Sequence, residues 1–195
     1  MSDARFAAAL AAIDAANAED PGHETVAGKR VPKELAYARR MTAWLGRLEP
    51  EASEALRLAI RAQHIRRWTV PRDGYPMDRQ GYHRWRTALA RFHAETAGAI
   101  LQKAGYDAAT IERVGSLIRK ERLKSDPEAQ TLEDVACLVF LENYLADFAG
   151  KHDEAKVVDI LRKTWRKMSK RGQEAALTLD LKPAGRRVLD RALAG

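Results

Sequence analysis

The chain has a single cysteine, Cys137, so no intramolecular disulfide framework can hold it together. That residue sits in the apolar run Val135-Ala136-Cys137-Leu138-Val139-Phe140, which reads as packing and leads us to expect a reducing, cytoplasmic setting. No apolar stretch approaches the roughly 20 residues of a membrane span, and no cationic, apolar leader opens the sequence, so a soluble protein is expected. Period-two alternation longer than a few residues is missing, as are internal repeats and low-complexity tracts. With 46% hydrophobic residues in 195, the chain can bury one substantial core.

Net charge is +7, unevenly spread. Residues 1–149 hold 22 Lys and Arg against 21 Asp and Glu, whereas residues 150–195 hold 12 against 6. Between Arg57 and Arg91, nine arginines face only Asp73 and Asp78. Both basic stretches suit phosphate-bearing partners.

Helical periodicity predicts an all-α fold: a single compact helical core over 1–149 and a basic helical extension over 150–195 packed on it. A first helix should run to about Asn17, followed by a loop from Asp20 to Pro32. Lys33 to Leu48 places Tyr37, Met41, Trp44 and Leu48 on one helix face. A third helix follows Pro50; Asp78 and Asp107 are expected N-caps, and Gly105 an expected stop. After Gly150, helices are expected over about 151–170, 172–179 and 184–194.

Four ionisable residues fall where separate helix patterns ask for an apolar one. His64 follows Leu56 and Ile60 and precedes Trp68; His93 shares a stripe with Leu89, Ala97 and Ile100. Glu121 follows Val114, Leu117 and Ile118, and Asp134 precedes Leu138, Leu141 and Leu145. A buried charge costs several kcal/mol unless it finds a proton, a partner or a metal. Two imidazoles and two carboxylates match the ligand set of Mn, Fe, Zn or Mg, so one divalent metal ion held by His64, His93 and Asp134 is the expectation, with Glu121 as a further ligand or general base. The competing reading makes each histidine a satisfied core residue and Asp134 a helix cap through Thr131.

A second constellation interleaves arginines with aromatics from Arg61 to Arg86. Guanidinium groups bind phosphate or carboxylate bidentately and stack on aromatic faces. Arg61, Gln63, Arg67, Trp68, Arg72, Tyr75, Tyr82 and Arg86 are therefore the candidate contacts for a small anionic or phosphorylated ligand. The bland alternative is a solvated arginine face over core aromatics.

The strings Gln63-His64-Ile65-Arg66-Arg67-Trp68, Tyr75-Pro76, Gly81-Tyr82-x-x-Trp85-Arg86 and Leu132 to Glu142 resemble a bacterial and fungal family termed domain of unknown function 4202. The layout is distantly similar to the HD superfamily of metal-dependent phosphohydrolases, all-helical proteins that draw histidine and aspartate ligands from successive helices. On that likeness His64 stands at the histidine of the HD doublet, His93 at a later histidine and Asp134 at the closing aspartate. Ile65 replaces the doublet's aspartate, and the first histidine position falls near Glu34 or Tyr37, making Glu34 a substitute ligand.

The resemblance implies an HD-like hydrolase acting on a small phosphorylated metabolite or nucleotide. Its competitors are an inactive HD-like module that binds an anionic ligand, and a nucleic-acid binder using the basic residues around Trp165. Neither a membrane partner nor any particular oligomeric state is indicated.

Overall fold

The computed structural model describes residues 2–194. Alanine-rich α1 (Ser2–Ala18) is followed by buried Asp20, whose carboxylate accepts hydrogen bonds from the backbone N–H groups of Gly22 (2.7 Å) and Glu34 (3.0 Å). Those two bonds tie off a small antiparallel hairpin, β1 (His23–Val26) with β2 (Lys29–Pro32), in a register pairing His23 with Pro32 and Val26 with Lys29. The hairpin replaces the expected loop. Its turn places Ala27 (φ 48°) and Gly28 (φ 77°) both in the left-handed region, as a two-residue type I′ connection requires. Ala-Gly is not the Asn-Gly or Asp-Gly pair that announces such a turn in a sequence.

The remaining elements are helical, so the expected all-α class stands with this one hairpin added. Helix α2 (Lys33–Leu48) is followed by α3 (Glu54–Ala62), whose first turn is capped by the Ser53 hydroxyl on the N–H of Leu56. Asp78 caps α4 (Arg79–Lys103) and Asp107 caps α5 (Ala108–Ile118), as the sequence predicts. Gly105, at φ 84°, makes the turn between them. Then come α6 (Pro127–Asn143), α7 (Leu145–Ala149), α8 (Glu154–Lys167), α9 (Lys170–Leu177) and α10 (Pro183–Leu193).

Two compact units emerge, one of residues 1–43 with 51–122 and one of residues 44–50 with 123–195. This division differs from the expected break after residue 149. Helix α6 packs on α7, α8 and α9, so it belongs with the basic C-terminal helices rather than with α1 to α5. In the first unit α5 lies against α3 and α4, and α1 against both of those, around the fully buried side chains of Ile13, Leu56, Leu58, Ile60, Ile65, Leu101 and Leu117. Burial of each such side chain contributes about 1.5–3 kcal/mol. The second unit is centred on Leu132, Leu138, Leu145 and Leu161; Cys137 is buried on α6, as its apolar run implied.

Candidate functional site

The sequence pattern carries α3 through Trp68, but the helix ends at Ala62. Asn17, in the last turn of α1, and Glu19, just beyond it, hold the segment that follows the break. The Asn17 Oδ1 accepts the backbone N–H of Arg66 (3.2 Å), Glu19 holds the Arg66 guanidinium (2.6 Å), and Arg66 adopts the left-handed conformation at φ 50°. A short 3₁₀ turn, Arg67–Thr69, follows. His64 thus sits in a turn and not on a helix stripe, which corrects the expected placement.

In that turn the His64 imidazole is held on three sides. Its ring stacks on Tyr37 of α2 with centroids 4.1 Å apart and planes 9° from parallel. Nδ1 lies 3.5 Å from Glu34 Oε2, and Nε2 lies 3.3 Å from Nη1 of Arg67. A guanidinium only donates, so Nε2 is the acceptor and the imidazole proton sits on Nδ1, facing Glu34. Burial, then the Arg67 charge, holds His64 well below the usual histidine pKa. Burial also pushes Glu34 up to about 7, with Arg67 opposing it. The pair therefore joins a neutral imidazole to a carboxyl group that titrates near neutrality, a combination suited to proton transfer.

His93, buried on α4, donates from Nδ1 to the Ile65 carbonyl at 2.8 Å. Its Nε2 then carries a lone pair, and that atom is buried without a hydrogen-bond partner, as is Oε1 of buried Gln63. Burial pushes His93 down to about 4, although the Ile65 bond favours the charged form. The two imidazoles face each other at 5.9 Å between centroids.

Both border a cavity of 570 Å³ within the first unit, inside the usual range of about 300–1,000 Å³ for small-molecule sites. The turn after α3 supplies Gln63, His64 and Arg67; α4 supplies His83, Arg86, Thr87, Leu89, Ala90, Arg91 and His93. The end of α5 and its left-handed turn at Lys120 (φ 56°) supply Ile118, Arg119, Lys120 and Glu121. Five cationic side chains thus face one lining carboxylate. Arg67 is half-buried, with its guanidinium over the Trp85 ring at 5.0 Å, and Trp85 is fixed by an N–H bond to the Val70 carbonyl at 2.9 Å. His83, Thr87, Arg91 and Arg119 were missed by the sequence reading. Positions 83, 86, 87, 90 and 93 recur at helical spacing on α4, and that stripe was the available signal.

Other expected members lie elsewhere. Asp134 belongs to the second unit, mid-helix on α6, and its carboxylate accepts bonds from the Ser169 N–H (2.8 Å), the Ser169 hydroxyl (2.5 Å) and Gln130 (3.0 Å). It secures the start of α9 and does not cap its own helix, which Asp126 caps. Glu121 lines the cavity but is exposed, and Arg119 (2.6 Å) holds its carboxyl below the usual range, which makes it a poor base. Arg61 is clamped bidentately by Asp14 at 2.6 Å and bonded to Thr42. Arg72 braces its own loop, donating to the carbonyls of Tyr75, Pro76 and Asp78. Half-buried Trp68 and Tyr75 and exposed Tyr82 do not line the cavity.

Of the expected metal set, His64 and His93 belong to the first unit and Asp134 to the second, where its carboxylate is committed to Ser169 and Gln130. No group of three His, Cys, Asp or Glu among the described residues is placed to hold a metal ion, and both nitrogens of His64 already face Glu34 and Arg67.

On the C-terminal helices several basic residues are ion-paired: Lys163 with Asp159, Arg186 with Asp190, Arg191 with Glu154, and Arg171 with Glu49 just after α2. No described helix is long and apolar enough to cross a membrane.

Comparison with curated proteins and with solved structures finds no match. A family model described as Domain of unknown function (DUF4202) matches residues 7–189, nearly the whole chain and both units, and so the protein is a member of that family.

Proposed function

We propose that the cavity beside His64 binds a small phosphorylated ligand. The observation that carries this reading is the composition of the lining, where Arg67, Arg86, Arg91, Arg119 and Lys120 stand against Glu121 alone. Arg119 already answers to Glu112 and Glu121, and Arg91 to Glu95, and of the remaining cations the two guanidinium groups, Arg67 and Arg86, offer phosphate a bidentate fork, so they are taken as the principal phosphate contacts. Burial disfavours the charged form of Arg67, and its nearest carboxyl group, Glu34, is partly protonated near neutral pH. An anion entering the cavity would supply the missing counter-charge, through the bidentate geometry that guanidinium offers phosphate. Calorimetric titration with inorganic phosphate and simple phosphate monoesters tests the reading. Saturable binding that weakens at least about tenfold in Arg67→Ala supports it, and no binding by any phosphate compound refutes it.

A second reading, hydrolysis of a phosphate ester in the same cavity, is favoured by the 3.5 Å approach of Glu34 to His64. When phosphoryl oxygens draw Arg67 away, Nε2 of His64 is released as a base. A water oxygen then bonds to phosphorus, the ester P–O bond breaks, and the leaving oxygen takes a proton from solvent. The proton lost by the water enters at Nε2 while the Nδ1 proton passes to Glu34. Such acid–base assistance contributes about 10²–10⁴-fold. Phosphate release that falls by that factor in Glu34→Gln, with binding retained, supports hydrolysis; no release from any ester by wild-type protein leaves the site a binding module.

A further inference from the structure

The geometry points to a phosphorylated polyol or sugar as the ligand of this cavity, its phosphate held by arginine and its hydroxyls donating to Nε2 of His93 and Oε1 of Gln63. The inference rests on the phosphate reading above and adds the part of the ligand that phosphate does not explain.

Both atoms are buried and lack a hydrogen-bond partner, and both belong to side chains more than nine-tenths buried that line the cavity. An orphaned buried acceptor costs the desolvation of that group, so two such atoms, on residues that line one cavity, are acceptors still in want of a donor. Each offers a lone pair. For His93 the protonation is dictated by the Ile65 carbonyl, which accepts from Nδ1 and leaves Nε2 as acceptor. An ionised phosphate oxygen cannot satisfy either atom, because it too is only an acceptor. The ligand must therefore present donors at this wall and an anion at the arginines.

Hydroxyls and nucleobase amines both donate, and the cavity distinguishes between them. No Phe, Tyr or Trp is among its lining residues, and one face of His64 is already covered by Tyr37. A nucleobase would thus find no Phe, Tyr or Trp platform of the kind that usually receives it, only the smaller imidazole of His83, which meets Tyr82 edge-on. The apolar lining is limited to Leu89, Ala90 and Ile118, which fits a ligand rich in hydroxyls.

Calorimetry with glycerol 3-phosphate, ribose 5-phosphate and glucose 6-phosphate, against methyl phosphate and adenosine monophosphate, tests the assignment. At least one polyol phosphate should bind about tenfold or more tighter than methyl phosphate, the scale of one to two net hydrogen bonds. Two variants localise the gain. Gln63→Leu removes the amide acceptor, and His93→Asn keeps an N–H for the Ile65 carbonyl while deleting Nε2. Each should abolish most of that advantage and leave methyl phosphate affinity within about twofold. Equal affinity for methyl and polyol phosphates, preferred binding of the nucleotide, or an equal loss for both ligand types in both variants would overturn the inference while leaving the phosphate site standing. Failure of every phosphate compound to bind would overturn both.

Discussion

Glu34 Oε2 lies 3.5 Å from Nδ1 of His64, joining the first turn of α2 to the turn that follows α3. Because burial raises Glu34 to about 7 from its ordinary value near 4.5, the folded protein holds a proton there that the unfolded chain releases. Stability from this group is full below pH 4.5 and is lost as pH rises through 7. Glu34→Gln should erase that loss, flattening the fall in unfolding free energy between pH 5 and 8 by up to about 3 kcal/mol. Urea titrations across that range check it; parallel curves for wild type and variant would contradict it.

His93 works in the opposite direction. Its pKa is lowered from 6.5 to about 4, so its contribution is present above 6.5 and lost as pH falls through 4. The imidazole proton bound to Nδ1 should persist as the neutral tautomer at pH 6, where an ordinary histidine is largely charged. Nitrogen-15 chemical shifts of the His93 ring read this directly, and a cationic ring at pH 6 would be the contrary outcome.

Arg61 and Arg67 look interchangeable in the sequence and differ in the fold. Arg61→Ala strips the partner from Asp14 and should cost about 2–4 kcal/mol of stability while leaving phosphate affinity unchanged. Arg67→Ala should weaken phosphate binding and cost less stability. Melting curves and calorimetry on both variants distinguish the roles; the reverse assignment of effects would refute it.

Asp134→Ala should destabilise the start of α9 by about 1–3 kcal/mol, since the Ser169 N–H and hydroxyl lose their acceptor. Phosphate affinity should not change, nor should prior dialysis against a chelator change it, because Asp134 and His64 serve separate structural ends. Loss of ligand binding on chelation would show that a metal takes part.

Gly81 comes too close to the Pro76 carbonyl for any side chain: a β-carbon would stand 2.0 Å from that oxygen. Gly81→Ala must therefore displace the loop that Arg72 braces, and a fall of more than about 2 kcal/mol in stability is expected by denaturant titration.

Local chemistry was readable along the chain. Asp78, Asp107 and Gly105 mark helix ends because their effects act within a few residues, and the Lys33–Leu48 helix follows from its own periodicity. Pairing of His64 with His93 at one cavity was also legible, though for an incomplete reason. His64 reaches it from the turn after α3, where Asn17, far back in the chain, accepts the Arg66 N–H, and no local pattern announces that bond. Asp134 misled for a related cause. An acidic residue at an apolar position signals a buried partner, but the partner is Ser169, in the loop between α8 and α9, and not an imidazole. Glu121 faced a similar ambiguity, resolved by the left-handed turn at Lys120 that leaves it exposed beside Arg119. The arginines divide in the same way: Arg61 and Arg72 spend their donors on Asp14 and on a loop, and only tertiary contacts separate them from Arg67 and Arg86.

The central claim is that a small phosphorylated ligand sits among Arg67, Arg86 and the two imidazoles. The most direct measurement is a titration of isotope-labelled protein with glycerol 3-phosphate, following the ring nitrogens of His64 and His93 and the side-chain resonances of Arg67 and Arg86. Saturable shifts at these four residues, with Arg61 and Arg171 unmoved, are predicted. Shifts that never saturate, or that gather on the basic C-terminal helices and leave His64 and His93 unchanged, would contradict it.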